Sequence, residues 1–286
     1  MTDPIDVVLT FDVDAETLWE ARDPDAARKP VWLSQGHYGP DEGLPRILAL
    51  LARYGIPASF FVPGVVVQRY PERIGAIVEA GFEIGHHSHT HTWADNLSEE
   101  QEREEFARGY EVLSGFTGRA PRGYRSPAGE FTPRTVALME EYGFQYSSNL
   151  FDADTPHLLR DGDRLTDIVE FPFAWLLDDA PFFLYSNRLP GRVMSAPSAV
   201  LETWRLEFDG LSREPGRVMT IAMHPQVIGR PSRLWVLEKF VEHVLESGRG
   251  RFGTLPDLTD RLRPGLLAAK TAGPGGSPGS AGEGGR

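Results

Sequence analysis

Two clusters in this chain combine residue types that hold metal ions and move protons. Asp12 and Asp14 stand in Thr10-Phe11-Asp12-Val13-Asp14, and a histidine run follows much later as His86-His87-Ser88-His89-Thr90-His91. Residues i and i+2 of a strand point the same way, so both carboxylates can face one cleft. His87 and His91 lie four apart, which puts both rings on one face of a helical turn or of an extended segment. Two neutral imidazoles and a carboxylate suit a divalent first-row metal and leave a coordination position for water. That chemistry is hydrolysis.

The elements that must position these groups follow from the apolar pattern. Ile5 to Phe11 is a β-branched and apolar run that reads as a buried strand delivering Asp12 and Asp14 at its C-terminal end. Gly81-Phe82-Glu83-Ile84-Gly85 reads as another strand just before the histidines, so both clusters sit where parallel α/β folds place their active sites. Between and beyond them, strands are predicted at 58–62, 82–85, 121–125, 144–148, 169–172, 218–223 and 252–254. Helices are predicted at 43–54, 71–80, 98–115, 132–142, 198–211 and 232–246. Gly55 serves as a helix C-cap, Ser98 to Gln101 as a capping box, and Thr132 with Pro133 as an N-cap and first turn. The acidic face of the helix after Ser98 is read as solvated. Repeated βα units of this length predict a parallel (β/α) barrel.

Two segments interrupt the alternation, 174–197 and 24–38. The first places Trp175, Phe182, Phe183 and Tyr185 among prolines and reads as a long βα loop over the barrel mouth, with Trp175 among the substrate contacts. From Pro264 onward glycine, proline and serine replace the apolar periodicity. The expected division is therefore a catalytic barrel over 1–263 and a disordered tail over 264–286.

The formal net charge of −12, without a basic stripe, argues against nucleic acid or an anionic membrane as partner. A small-molecule or oligosaccharide substrate fits better. The first residues lack a basic and apolar export signal and no segment approaches a membrane span, so a cytoplasmic protein is expected. The absence of cysteine excludes disulfides, thiolate ligands and a cysteine nucleophile.

The ordered motifs Thr10-Phe11-Asp12-Val13-Asp14, His87-Ser88-His89-Thr90-His91, Arg125-Ser126-Pro127 and Met223-His224-Pro225 resemble the polysaccharide deacetylase (NodB-like, carbohydrate esterase 4) superfamily over roughly the first 260 residues. The resemblance implies a distorted, often seven-stranded α/β barrel. It implies Asp14, His87 and His91 as ligands of one divalent metal ion, with zinc ahead of cobalt or nickel, and Asp12 as the base. It further implies that Arg125 pairs with Asp12 and that His224 is the general acid. A carboxylate usually orients that histidine, and Asp178 or Asp179 is expected to do so. The oxyanion would be held by the metal and a backbone N–H in the Pro127-Ala128-Gly129 turn.

Val13 between the aspartates and Ala128 after Pro127 depart from the pattern of sugar deacetylases. With Glu16 and His37-Tyr38-Gly39 they resemble instead the branch holding cyclic imidase- and allantoinase-like hydrolases and a divergent peptidoglycan deacetylase, whose members tend to be homotetramers. His37, His86 and His89 are expected to be structural or supporting. The expected activity is metal-dependent hydrolysis of a non-peptide carbon–nitrogen bond, in an N-acetylated sugar, a peptidoglycan fragment or a small cyclic amide. Its rivals are a catalytically inactive carbohydrate-binding barrel and a metal-independent amidohydrolase on the same scaffold.

Overall fold

The computed structural model describes residues 3–23, 25–185 and 193–272. Its core is β1 (Ile5–Asp12), every residue of which is buried. The side chains of β1 alternate as a strand between two packed layers requires. Val7, Leu9 and Phe11 join the outer core under the helices, whereas Val8 joins an inner cluster with Phe61, Tyr146 and Phe171. Asp12 and Asp14 share the parity of Val8 and lie above that inner plug, among the residues lining a cavity at the strand ends.

Around β1 the sheet continues through β2 (Ser59–Val62), β3 (Glu83–His86), β4 (Gly123–Tyr124), β5 (Tyr146–Ser147), β6 (His157–Asp161), β7 (Arg164–Glu170), β8 (Val218–Met223) and β9 (Gly250–Gly253). The spatial order is β6-β7-β5-β4-β3-β2-β1-β8, with β9 also on β1. All pairings are parallel except β6 with β7. One edge of β1 takes β8 along Asp6 to Phe11; the other takes β9 at Ile5 to Val8 and β2 at Thr10 to Asp12. A single bridge between Asp178 and Ala222 ties the segment after β7 to β8. The result is a curled, mostly parallel sheet, a distorted α/β barrel as the motifs imply.

The predicted helix caps are present. Ser98 and Gln101 bond reciprocally before the helix Glu99–Thr117, Thr132 and Thr135 do so before the helix Pro133–Glu141, and Gly55 takes a left-handed backbone after Leu44–Tyr54.

The structure corrects the sequence reading in three places. The strand expected at 169–172 is the end of a β-hairpin, β6 and β7, turning through Asp161, Gly162 and Asp163, with Gly162 at φ 57°. The segment 24–38, expected as an insertion in loop form, is largely the helix Pro30–Tyr38. That helix runs through a π-helical turn, Gly39–Gly43, into Leu44–Tyr54. The last helix, Leu255–Ala272, passes through Pro264, so 264–272 is not a disordered tail. Leu262, Leu266 and Leu267 pack on the inner core, and that burial outweighs the loss of one helical hydrogen bond at proline. Residues 273–286, and 186–192 of the expected mouth loop, lie outside the described residues.

Candidate active site

Five segments converge at the C-terminal ends of the strands: those after β1, β3 and β4, the stretch 173–181, and the one after β8. They enclose a cavity of about 220 Å³ lined by Asp12, Asp14, His87, His91, Arg125, Asp178 and His224. Leu18, Arg22, Trp93, Ser126, Ala128, Gly129, Phe173, Trp175, Ala180 and Pro181 complete the wall.

Asp14 is fully buried. Its Oδ1 lies 3.3 Å from His87 Nε2 and 3.6 Å from His91 Nε2, and no hydrogen bond reaches that oxygen. His87 Nδ1 donates to the Arg125 carbonyl at 2.7 Å, so in the neutral ring the Nε2 lone pair faces Asp14. Burial pushes the Asp14 carboxyl up, but His91, His87 and His224 outweigh it and hold the group ionised far below the usual range. Burial pulls His91 down to about 4. An ionised, buried oxygen without a proton donor and a lone pair aimed at it are what a divalent cation satisfies, so these residues fit the metal that the motifs imply.

Asp12 Oδ1 accepts from Arg125 Nη1 at 3.0 Å. Arg125 is itself pinned: Nη1 also donates to Thr10 Oγ1, Nε to the Ser148 carbonyl and Nη2 to Ser148 Oγ. Its guanidinium lies against the Phe61 and Phe173 rings at 4.5 and 4.9 Å. A buried cation held on three sides fixes Asp12 in place.

His224 Nδ1 meets Asp179 Oδ1 at 2.7 Å, and the His224 backbone N–H donates to Asp179 Oδ2. Asp178 is more distant, 3.8 Å from the same nitrogen. Burial alone would lower the histidine, but Asp179 outweighs it and raises His224 well above its ordinary value. Burial pushes the Asp178 carboxyl up to about 7. The free edge of His224 faces the cluster of Asp14, His87 and His91, with Nε2 3.7 Å from Asp14 Oδ2.

The other expected residues fall as follows. Pro127 is buried in the turn after β4, and Ala128 follows it at φ 60°. Gly129 N–H donates to the Ser126 carbonyl. Trp175 stands at the rim, half exposed, against Phe151 at 4.9 Å. Ala15, Ser88, His91 and Ala128 are the non-glycine residues with positive φ among the described residues, and all four lie in the loops of this site. Left-handed backbone at such residues persists only where surrounding contacts enforce it.

Of the remaining histidines, His86 is stacked on Phe106 and bonded to its carbonyl, and burial drives it down to about 3. His89 packs its Nδ1 against Gly64, where a Cβ would stand only 2.5 Å away. His37 contacts Glu16 and Tyr70. Sequence reasoning missed Gln226, whose Nε2 lies 3.5 Å from Asp14 Oδ2, and Thr10 and Ser148, which hold Arg125. Thr10 stands within a motif already singled out and Gln226 directly follows another, so both were legible as neighbours; Ser148 carries no signal of its own.

A curled parallel sheet with a buried carboxylate–imidazole cluster at its strand ends defines a class, the α/β-barrel hydrolases. The family model described as "Polysaccharide deacetylase" matches residues 2–147. A peptidoglycan deacetylase of Helicobacter pylori is 30% identical, the alignment covering 91% of this chain and 97% of that protein. Among solved structures, a candidate polysaccharide deacetylase from Mycobacterium smegmatis is 34% identical with a TM-score of 0.86, covering 93% of this chain and 92% of the other. The PuuE allantoinase shares the fold at TM-score 0.78 and 24% identity, over 91% and 90% of the two chains. The chain belongs to the polysaccharide deacetylase family, hydrolases of non-peptide carbon–nitrogen bonds.

Proposed function

We propose that this protein removes an acetyl group from an N-acetylated sugar unit, such as one carried by a peptidoglycan fragment, by metal-dependent hydrolysis. The observation that carries the proposal is the convergence of Asp14, His87 and His91, whose ligand atoms lie within 4.8 Å of one another, on the cavity that Asp12 and His224 also line. The 30% identity to the H. pylori peptidoglycan deacetylase along nearly its whole length supports the substrate class.

Asp14, His87 and His91 would hold one divalent ion, zinc ahead of cobalt or nickel. The ion would acidify water and polarise the acyl oxygen. Asp12, held by Arg125, takes the proton of the attacking water. The Ala128 N–H donates to the acyl oxygen, since the neighbouring Gly129 N–H is already engaged. His224, kept protonated and oriented by Asp179, gives its Nε2 proton to the departing nitrogen. A C–O bond forms, the C–N bond breaks, and acetate and a free amine leave. Trp175 offers a face for the sugar ring.

A second reading, a small cyclic amide opened by the same steps, is favoured by the modest cavity of about 220 Å³ under Trp93, Trp175 and Pro181. A homotetramer belongs to this reading too; exposed Val31, Leu206 and Trp235 supply apolar surface for it. No described helix is long and apolar enough to cross a membrane.

The test is metal content and turnover of one preparation, with and without chelator, on an N-acetylglucosamine oligomer and on succinimide. Metal-dependent acetate release supports the first reading. Ring opening alone replaces it with the second. Turnover indifferent to chelation removes the metal from both.

A further inference from the structure

The loop from His87 to His91 contains two left-handed residues, Ser88 at φ 63° and His91 at φ 67°. Such backbone is unfavourable for a non-glycine residue, so contacts elsewhere must hold the loop. One side of it is held by the first residues of the helix Gly64–Arg69: Gly64 N–H donates to the Ser88 carbonyl and Val65 N–H to the His89 carbonyl. The other side is held by a single oxygen. Glu105 Oε2 accepts from Ser88 Oγ at 3.1 Å, from the Thr90 N–H at 2.8 Å and from Thr90 Oγ1 at 2.9 Å. The Thr90 hydroxyl in turn meets that of Thr92 at 2.8 Å.

Glu105 belongs to the helix Glu99–Thr117, whose acidic face the sequence reading left to solvent. Its carboxylate instead gathers the loop donors lying between the two imidazoles, without touching either ring. Removing it would strand the Thr90 N–H and free the loop to relax toward ordinary backbone, which changes the distance and aim of His91 relative to His87.

We propose that Glu105 is a positioning residue for the metal centre: it sets the affinity of the site by locking the backbone that carries His87 and His91. The inference rests on the reading of those histidines as ligands. A carboxylate that acts through ligand geometry changes metal affinity and ligand field; one that merely stabilises the fold changes only the melting temperature.

The experiment measures the zinc dissociation constant by competition with a chromophoric chelator, the visible spectrum of the cobalt(II) form, and the melting temperature of the metal-free protein. It compares wild type, Glu105→Ala, Glu105→Gln and the neighbouring Glu104→Ala. We expect Glu105→Ala to weaken zinc by about ten- to a hundredfold, as loss of outer-shell support typically does, and to alter the cobalt spectrum. Glu105→Gln, whose amide oxygen still accepts, recovers most of the affinity, and Glu104→Ala matches wild type. If Glu105→Ala does not fold, Thr90→Val removes one of the three donors and is expected to weaken zinc several-fold. Wild-type affinity and an unchanged cobalt spectrum in a folded variant overturn the proposal, even with a lower melting temperature. A folded wild type that binds no zinc overturns the ligand reading itself, and the inference falls with it.

Discussion

At the C-terminal ends of the strands, Asp14 carries a buried oxygen with no hydrogen-bond partner, His224 is held in a raised protonation state, and four non-glycine residues adopt left-handed backbone. At the N-terminal ends Asp6 is satisfied, bonded to Arg251 at 2.7 Å and to Arg261. Yet the larger cavities, about 490 and 410 Å³, lie at that second end, lined by residues such as Asp6, Arg251 and Glu83. Volume therefore points to the wrong end of this barrel. What separates the ends is how buried charge is gathered: at the functional end Asp14, His87, His91 and His224 converge on one cavity, whereas at the other Asp6 is paired with arginines and Glu83 stands apart from it with Tyr146 donating to its carboxylate.

The contrast breaks most sharply at the proposed metal ligands. Replacing Asp14 or His91 with alanine should abolish stoichiometric metal binding and lower kcat by on the order of a thousandfold or more, since several kcal/mol of transition-state stabilisation leave with the ion. Metal analysis and steady-state kinetics on the same preparation check this, and a metal-replete, active Asp14→Ala would dismiss the comparison. Asp179→Asn is expected to cut kcat by about 10²-fold with less effect on KM. The negative charge of Asp179 is what keeps the proton on His224, so without it the histidine deprotonates at lower pH. The alkaline limb of the kcat profile should accordingly move down in pH.

A smaller effect is expected at the opposite end, at Glu83, which burial pushes up to about 7 while Tyr146 donates to it at 2.7 Å. Between the ordinary glutamate value and about 7 the folded protein holds a proton that the unfolded chain has released. The stability contribution is therefore complete below that window and is lost as pH rises through about 7. Glu83→Gln should raise the melting temperature by a few degrees near pH 8 and leave it unchanged near pH 5, with wild-type kcat at both. The smallest change belongs to Asp6→Asn. Its arginine partners are half exposed, so about 1 kcal/mol or less is expected in denaturant unfolding and nothing in turnover.

Much of the functional end was legible because its residues sit in short, ordered motifs at the ends of apolar runs. Ile5 to Phe11 announces β1, and the i, i+2 spacing places Asp12 and Asp14 on the cavity face. The choice between Asp178 and Asp179 was not legible, because adjacent carboxylates are told apart only by which one the backbone turns toward His224. The hairpin of β6 and β7 escaped because His157–Asp161 mixes charge with leucine, although Asp161-Gly162 is a turn signal. Pro264 was misread because a proline outvotes the i, i+4 leucines only when nothing buries them. Glu105 left no trace, since an acidic helix face reads the same whether it meets water or a loop.

The pairing of β1 carries a further consequence, for the order in which the molecule can be made. Thr10 bonds to the Ile221 carbonyl across 211 residues of sequence, and both strands beyond that separation, β8 and β9, close on β1. Contacts so distant along the chain form late and require long loops to close first. An emerging chain would therefore leave the β8 edge of this apolar strand open throughout most of its synthesis, and His224 would join its partners only near the end. Catalytic competence should thus appear abruptly in a renaturation experiment, together with the last tertiary signal.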